Sequence, residues 1–220
     1  MSANQEKIEE AGFLIGALSK WVGNENFIIA GGAIRDIVNG KEITDFDIYL
    51  EAPSAENNAL KYAKDNGHCK GMYGTFAIPS FFSTLFSLEY PSMFFIPKTK
   101  RKNKKDPYNA PRIREVIKVQ GKKTTYDLIF VSGKPRSHVL CDFDIDLCKV
   151  WFDPVDNKIY KTPTFDGDVE NKTITLDLNN FSPDDNAWIV GRSLLHHVPK
   201  IMDKYPDFTL NVIPYQNIPF

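Results

Sequence analysis

Phe27-Ile28-Ile29-Ala30-Gly31-Gly32-Ala33-Ile34-Arg35-Asp36, then Gly40, then Asp45-Phe46-Asp47-Ile48-Tyr49-Leu50, is the stretch that decides the fold. Four apolar residues in a row, Phe27 to Ala30, read as a buried strand. Gly31-Gly32 breaks it, and Ala33 to Asn39 reads as a helix closed by Gly40. Phe46 to Leu50 is strand-like again. Side chains alternate along a strand, so Asp45 and Asp47 face one side while Phe46 and Ile48 face the other.

This order carries chemistry as well as structure. Glycines at a strand-to-helix turn let a phosphate chain approach the backbone, and the helix start offers free N–H groups to an anion. Two carboxylates two residues apart on one strand face repel each other unless something positive lies between them. Mg²⁺ with phosphate oxygens is the natural partner. Together these are the parts of phosphoryl or nucleotidyl transfer.

Outward from this stretch the chain alternates between helix and strand signals. Ile8, Phe13, Leu14, Ala17, Leu18 and Trp21 mark an amphipathic first helix ended by Gly23-Asn24. Ala55 to Asp65 reads as a helix stopped by Asn66-Gly67. Strand formers follow at 75–78, 84–88, 93–96, 115–119 and 125–131, then a short helix over 143–152 and a second amphipathic helix over about 184–205 that Pro199 should kink. Trp188, Ile189, Leu194, Leu195, Val198, Ile201 and Met202 would be its inward side. The tail from Pro206 should lie extended. The expected class is α/β (α+β), a small mixed sheet flanked by helices. Residues 1–160 would form the main unit, with a basic insertion at about 97–112, and 161–220 a C-terminal helical segment and tail.

Gly31-Gly32-Ala33-Ile34-Arg35-Asp36, Gly40 and Asp45-Phe46-Asp47 resemble the signature of the DNA polymerase β-like nucleotidyltransferases, in the version of the bacterial-type CCA-adding enzymes and poly(A) polymerases. Gly74-Thr75-Phe76 resembles a later strand start of that family, and Tyr126-Asp127-Leu128-Ile129-Phe130 the strand that brings a third acidic residue. Asp142-Phe143-Asp144-Ile145-Asp146-Leu147 falls at the family's Arg-Asp-Phe-Thr-Ile-Asn motif, but Cys141, Asp144 and Asp146 replace its arginine, threonine and asparagine. Those departures bear on nucleotide selection more than on metal binding.

The resemblance implies an enzyme that moves a nucleoside monophosphate from a nucleoside triphosphate to an acceptor hydroxyl, releasing pyrophosphate. Asp45, Asp47 and Asp127 would be catalytic and hold two Mg²⁺ ions. Gly31 and Gly32 would hold the β- and γ-phosphates, with Arg35, Asp144 and Asp146 near the nucleotide and Asp142 a helix cap. Arg35 and Asp36 pairing with each other is an equal reading. An RNA 3′ end is the implied acceptor. The family's large tRNA-gripping helical body has no room here, so a protein side chain or small molecule stays open as acceptor, as does a degenerate fold kept as a binding module.

The net charge of −1 conceals segregation. Lys98, Lys100, Arg101, Lys102, Lys104 and Lys105 crowd into one loop between prolines, leaving 21 basic against 28 acidic residues elsewhere. That loop is the candidate nucleic-acid contact. Cys69, Cys141 and Cys148 are an odd, sparse set without a CxxC pair, which argues against a disulfide framework. His196-His197 lacks partners at ligand spacing. With no signal peptide and no apolar run of spanning length, the expected setting is cytoplasmic. Composition leaves oligomeric state open.

Overall fold

The computed structural model describes residues 3–66, 82, 94–96, 112–180, 191 and 193–214. The Gly74-Thr75-Phe76 stretch, the Lys98–Lys105 run, the strands expected at 75–78 and 84–88, and Trp188 and Ile189 lie outside the described residues.

Helix α1 (Ala3–Val22) leads into strand β1 (Phe27–Ala30), helix α2 (Gly32–Val38), strand β2 (Asp45–Glu51) and helix α3 (Ala52–Asp65). Strands β3 (Phe94–Ile96), β4 (Ile113–Gln120) and β5 (Thr125–Val131) follow, then α4 (Pro135–Asp142), β6 (Val150–Asp153) and β7 (Lys158–Lys161). These seven strands make one sheet in the order β3-β4-β5-β2-β1-β6-β7. Neighbours are antiparallel except β2 and β5, which run parallel at its centre. The sheet is mixed and helices flank it.

The alternation of side chains gives the sheet two different faces. On one, Phe46, Ile48, Leu50, Tyr126, Leu128 and Phe130 join Leu14, Leu18 and Trp21 of α1 in the main core. On the other, Ile28, Ala30, Tyr49, Ile129 and Val131 form a smaller cluster with Val139 of α4, against which Phe143 and Trp151 pack. Asp45, Asp47 and Asp127 are in phase with this second face.

The chain beyond β7 corrects the helical expectation. Helix α5 (Pro163–Asn171), capped by the Thr162 hydroxyl accepting from Phe165 N–H at 3.1 Å, is followed by strand β8 (Thr173–Asp177). The tail does not merely lie extended: Thr209–Ile213 is strand β9, parallel to β8. The expected long helix is, as described, a π turn at Ser193–His197 and helix α6 (Val198–Lys204). Pro199 directly follows the π turn, within a helical run from Ser193 to Lys204 in which His197 is already helical, so the widened turn stands where the proline ring and missing N–H would otherwise strain the helix. Val198 and Ile201 are buried, but Leu194, Leu195 and Met202 are exposed, because the π turn shifts the helical phase.

The helix expected over 143–152 is also overturned. Helix α4 ends at Asp142, a single 3₁₀ turn spans Asp146–Cys148, and β6 begins at Val150. Val150, Phe152 and the neighbouring apolar residues satisfy strand and helix spacing equally well, and pairing with β1 decides between them.

Candidate active site

Register assembles the carboxylates. Asp47 stands directly opposite Ala30 on β1 and opposite Asp127 on β5. Asp45, two residues back, is exposed on the same face, whereas Asp127 is buried. Burial, and then the nearby charges of Asp45 and Asp127, push the Asp47 carboxyl up to about 8, against the partial relief of Lys118 and Lys200. The face is short of positive charge.

Gly31 opens the approach to Asp47. Its φ of 79° and ψ of −135° belong to glycine alone. A Cβ there would meet the Phe143 ring at 3.4 Å and Asp47 Oδ2 at 3.9 Å. Gly31 N–H is spent on Val150 C=O at 3.1 Å, tying the turn to β6. Gly32 begins α2.

The structure brings Asp45, Asp47, Asp127 and the glycine turn together, and gives the other expected residues different occupations. Arg35 is buried, with Nε donating to Asp36 Oδ1 at 2.7 Å and a second nitrogen of the same guanidinium in ion pairing with it. Another nitrogen reaches Cys148 Sγ at 3.3 Å. A guanidinium so engaged braces α2. Asp144 accepts from Ser193 Oγ and lies 3.0 Å from His197 Nδ1. Asp146 is buried and paired with Lys149 at 2.6 Å. It lines a depression of about 350 Å³ with Asp168, Thr173, Thr175 and Asn211. Asp142 is no N-cap: it closes α4, with Oδ2 2.6 Å from His138 Nδ1 and 3.5 Å from the Arg112 guanidinium.

Sequence reasoning missed two cations. Lys118, opposite Asp127 on β4, places Nζ 2.6 Å from both carboxylate oxygens. Lys200 of α6 acts on Asp47 through its charge. Both were hidden because a lysine on a strand or late helix ordinarily points to solvent.

An all-oxygen donor set suits a hard cation such as Mg²⁺, and Asp45–Asp47 fits one. Asp127 already has an ammonium where the two-ion expectation puts a metal. Among the described residues no group of three or more carboxylate, imidazole or thiol side chains converges to hold a metal ion.

The profile described as Gad2, Gabija anti-defense 2 family protein, matches residues 4–172. The chain belongs to this family. The match runs from α1 through α5, so it takes in the carboxylate face and the glycine turn. No curated protein matches the chain. Solved structures share its fold. The CCA-adding enzyme of Bacillus stearothermophilus in complex with CTP is similar at 13% identity and TM-score 0.53, over 92% of this chain and 40% of that one. The Thermotoga maritima CCA-adding enzyme complexed with tRNA is similar at 14% identity and TM-score 0.53, over 93% and 39%. A tRNA-processing enzyme in apo form is similar at 16% and 0.52, over 94% and 44%. The chain thus spans less than half the length of these structures. At such identity the likeness shows a nucleotidyltransferase-like fold.

Proposed function

We propose that this Gad2-family protein is a nucleotidyltransferase that moves a nucleoside monophosphate from a nucleoside triphosphate to an acceptor hydroxyl, as its part in countering the Gabija defence. The observation that carries the reading is the adjacency of Asp45, Asp47 and Asp127 on one sheet face beside a glycine-only turn. Asp45 and Asp47 would hold Mg²⁺, whose charge would stabilise the phosphoryl oxygens and lower the pKa of the acceptor hydroxyl. Asp127 would orient that hydroxyl, with Lys118 released to a phosphate oxygen. Gly31 keeps the space over Asp47 open, and Lys200 adds positive charge for the triphosphate. The CTP and tRNA bound in the similar structures support a nucleotide donor and an RNA acceptor. The Lys98–Lys105 run would add contacts to such an acceptor.

Transfer of label from α-³²P nucleoside triphosphates, with Mg²⁺ and a panel of RNA, protein and small-molecule acceptors, tests this. Asp45→Ala and Asp47→Ala should abolish transfer. No transfer by the wild type and no metal-dependent nucleotide binding would sink it.

One observation favours a second reading. The ammonium of Lys118 neutralises Asp127, as a fold kept only for binding would allow. Affinity for a polynucleotide that survives Asp47→Ala, with no turnover in either protein, would select it.

A further inference from the structure

Asp127, Asp47 and Ala30 stand in one row across the sheet, with Asp47 in the middle. From Ala30 the chain turns through Gly31 into α2, so the glycine turn and Asp127 lie on opposite sides of Asp47. Helix α6 is fastened on the glycine-turn side. Asp36 of α2 accepts from Lys204 at 2.6 Å and from the Tyr205 hydroxyl at 3.1 Å. The turn before α6 is tied down near the same place. Asp144 follows Phe143, whose ring lies 3.4 Å from where a Gly31 Cβ would stand. Its carboxylate accepts from the buried Ser193 hydroxyl and lies 3.0 Å from His197 Nδ1.

His197 is itself helical, with φ −80° and ψ −52°. Residues three and four apart share a helix face, so His197, Lys200 and Lys204 form one basic stripe. Its ends are pinned, at Asp144 and at Asp36. Lys200 lies between them, and its charge reaches Asp47. The stripe therefore runs past the glycine-turn side of the carboxylates. Positive charge is useful there, because Gly31 N–H is spent on Val150 C=O and the turn offers a phosphate one donor fewer. The Nδ1 contact with Asp144 leaves His197 Nε2 for a ligand. The side chain is 31% open, and Nε2 bonds to none of the described residues.

In-line displacement at phosphorus puts the attacking and leaving oxygens on opposite sides. With the acceptor hydroxyl at Asp127, pyrophosphate leaves toward the glycine turn and the stripe. We propose that His197, oriented by Asp144, is the general acid for that departure, and that Lys200 holds the pyrophosphate. This deepens the nucleotidyltransferase reading and rests on it. The acceptor oxygen bonds to the α-phosphorus as the bond from that phosphorus to the α,β-bridging oxygen breaks. The Nε2 proton of the imidazolium passes to the bridging oxygen, and pyrophosphate leaves carrying it. The hydroxyl's own proton goes to water, from which the neutral imidazole is recharged. Imidazole is the side chain whose ordinary range lets it hold and give a proton near neutral pH, and a carboxylate on Nδ1 is what orients such a ring.

Two measurements on the full-length protein test this. The first needs no turnover: calorimetric titration with pyrophosphate in Mg²⁺. Lys200→Ala should weaken binding about tenfold, and His197→Gln, whose amide still donates, should stay within about threefold of wild type. The second is single-turnover transfer from triphosphates with a β,γ-methylene or a β,γ-difluoromethylene bridge, the latter giving the more acidic leaving group. His197→Gln should slow transfer about 100-fold or more, the worth of a general acid, with KM little changed. It should also widen the rate advantage of the difluoromethylene substrate, because a leaving group without a proton donor depends more on its own acidity. Asp144→Asn should show the same signature more weakly. Ser193→Ala, which removes only the other bond to that carboxylate, should transfer near the wild-type rate. The acid is overturned if His197→Gln slows both substrates equally, or if Ser193→Ala matches it, which would make the cluster a latch. Pyrophosphate affinity untouched by Lys200→Ala overturns the seat. A wild type that transfers nothing yet binds pyrophosphate through Lys200 overturns the proposed function and the acid step, and upholds the seat.

Discussion

Lys118 and Asp127 stand opposite each other on β4 and β5, and the ammonium sits 2.6 Å from both oxygens of the carboxylate. Asp127 is almost wholly buried, whereas Lys118 is half-exposed. Lysine therefore holds the inner carboxylate of the row from the solvent side, and any cation that needs Asp127 must displace it.

Removing the competitor should favour the metal. Lys118→Met should tighten divalent cation binding about fivefold, the equivalent of ~1 kcal/mol for a pair with one exposed partner. Titration with Mn²⁺, read by the loss of free-ion paramagnetic signal, measures this. An unchanged affinity would mean that Asp127 takes no part in holding the ion.

The Asp47 carboxyl predicts a pH dependence of stability. Its folded value, pushed up to about 8 by burial and by Asp45 and Asp127, lies far above the value near ~4 of an unfolded chain. Between those limits the folded protein holds a proton that the unfolded chain has lost. The contribution of this carboxyl to stability is therefore fully present below the unfolded value and is lost as pH rises through the window to about 8. Thermal unfolding in EDTA should show Tm declining across that range, with Asp47→Asn flattening the decline. Added Mg²⁺ should restore Tm mainly at the upper end, where the carboxylate it binds is charged. A decline identical in Asp47→Asn would assign the effect elsewhere.

Where the physics is local, the sequence was legible. The apolar run Phe27–Ala30, the glycine break and the alternating Asp45-Phe46-Asp47 each determine their own conformation, and β1, α2 and β2 lie where they point. Strand β5 likewise shows in its own pattern. What could not be read depends on partners distant in the chain. Lys118 faces Asp127 only through a β4–β5 register. The Arg35–Asp36 pair was one of the readings open in the sequence, but the Tyr205 ring that lies against the guanidinium at 5.4 Å, far along the chain, was not. The end of the 143–152 segment satisfied two periodicities, and only the waiting edge of β1 made it, from Val150 on, a strand.

Gly31 should tolerate no side chain. The φ and ψ there are open to glycine only, while an added Cβ would make no more than van der Waals contact with Phe143, so the cost is one of backbone conformation. Gly31→Ala should cost about 1–3 kcal/mol in urea unfolding, the usual strain of such a conformation. If the turn carries the triphosphate, nucleotide affinity should drop by more than the stability loss explains, measured well below the unfolding transition. A variant as stable as wild type would show that the turn relaxes.

Asp36 predicts the largest stability effect. It is buried under three side chains: it accepts from Arg35 Nε at 2.7 Å, from Lys204 Nζ at 2.6 Å and from Tyr205 Oη at 3.1 Å, with a second guanidinium nitrogen of Arg35 2.7 Å away. These bonds fasten α6 to the helix that follows the glycine turn. Asp36→Ala would leave a buried guanidinium unpaired, which costs about 3–5 kcal/mol. Lys204→Met removes a partly exposed partner, leaves Arg35 satisfied, and should cost at most about 1 kcal/mol. Chemical denaturation of both variants checks the ratio. Equal losses would mean that Lys204, rather than the Arg35–Asp36 pair, is the main tie between α2 and α6. A small loss in Asp36→Ala would show that Arg35 finds another acceptor or water, and that α2 does not depend on the pair.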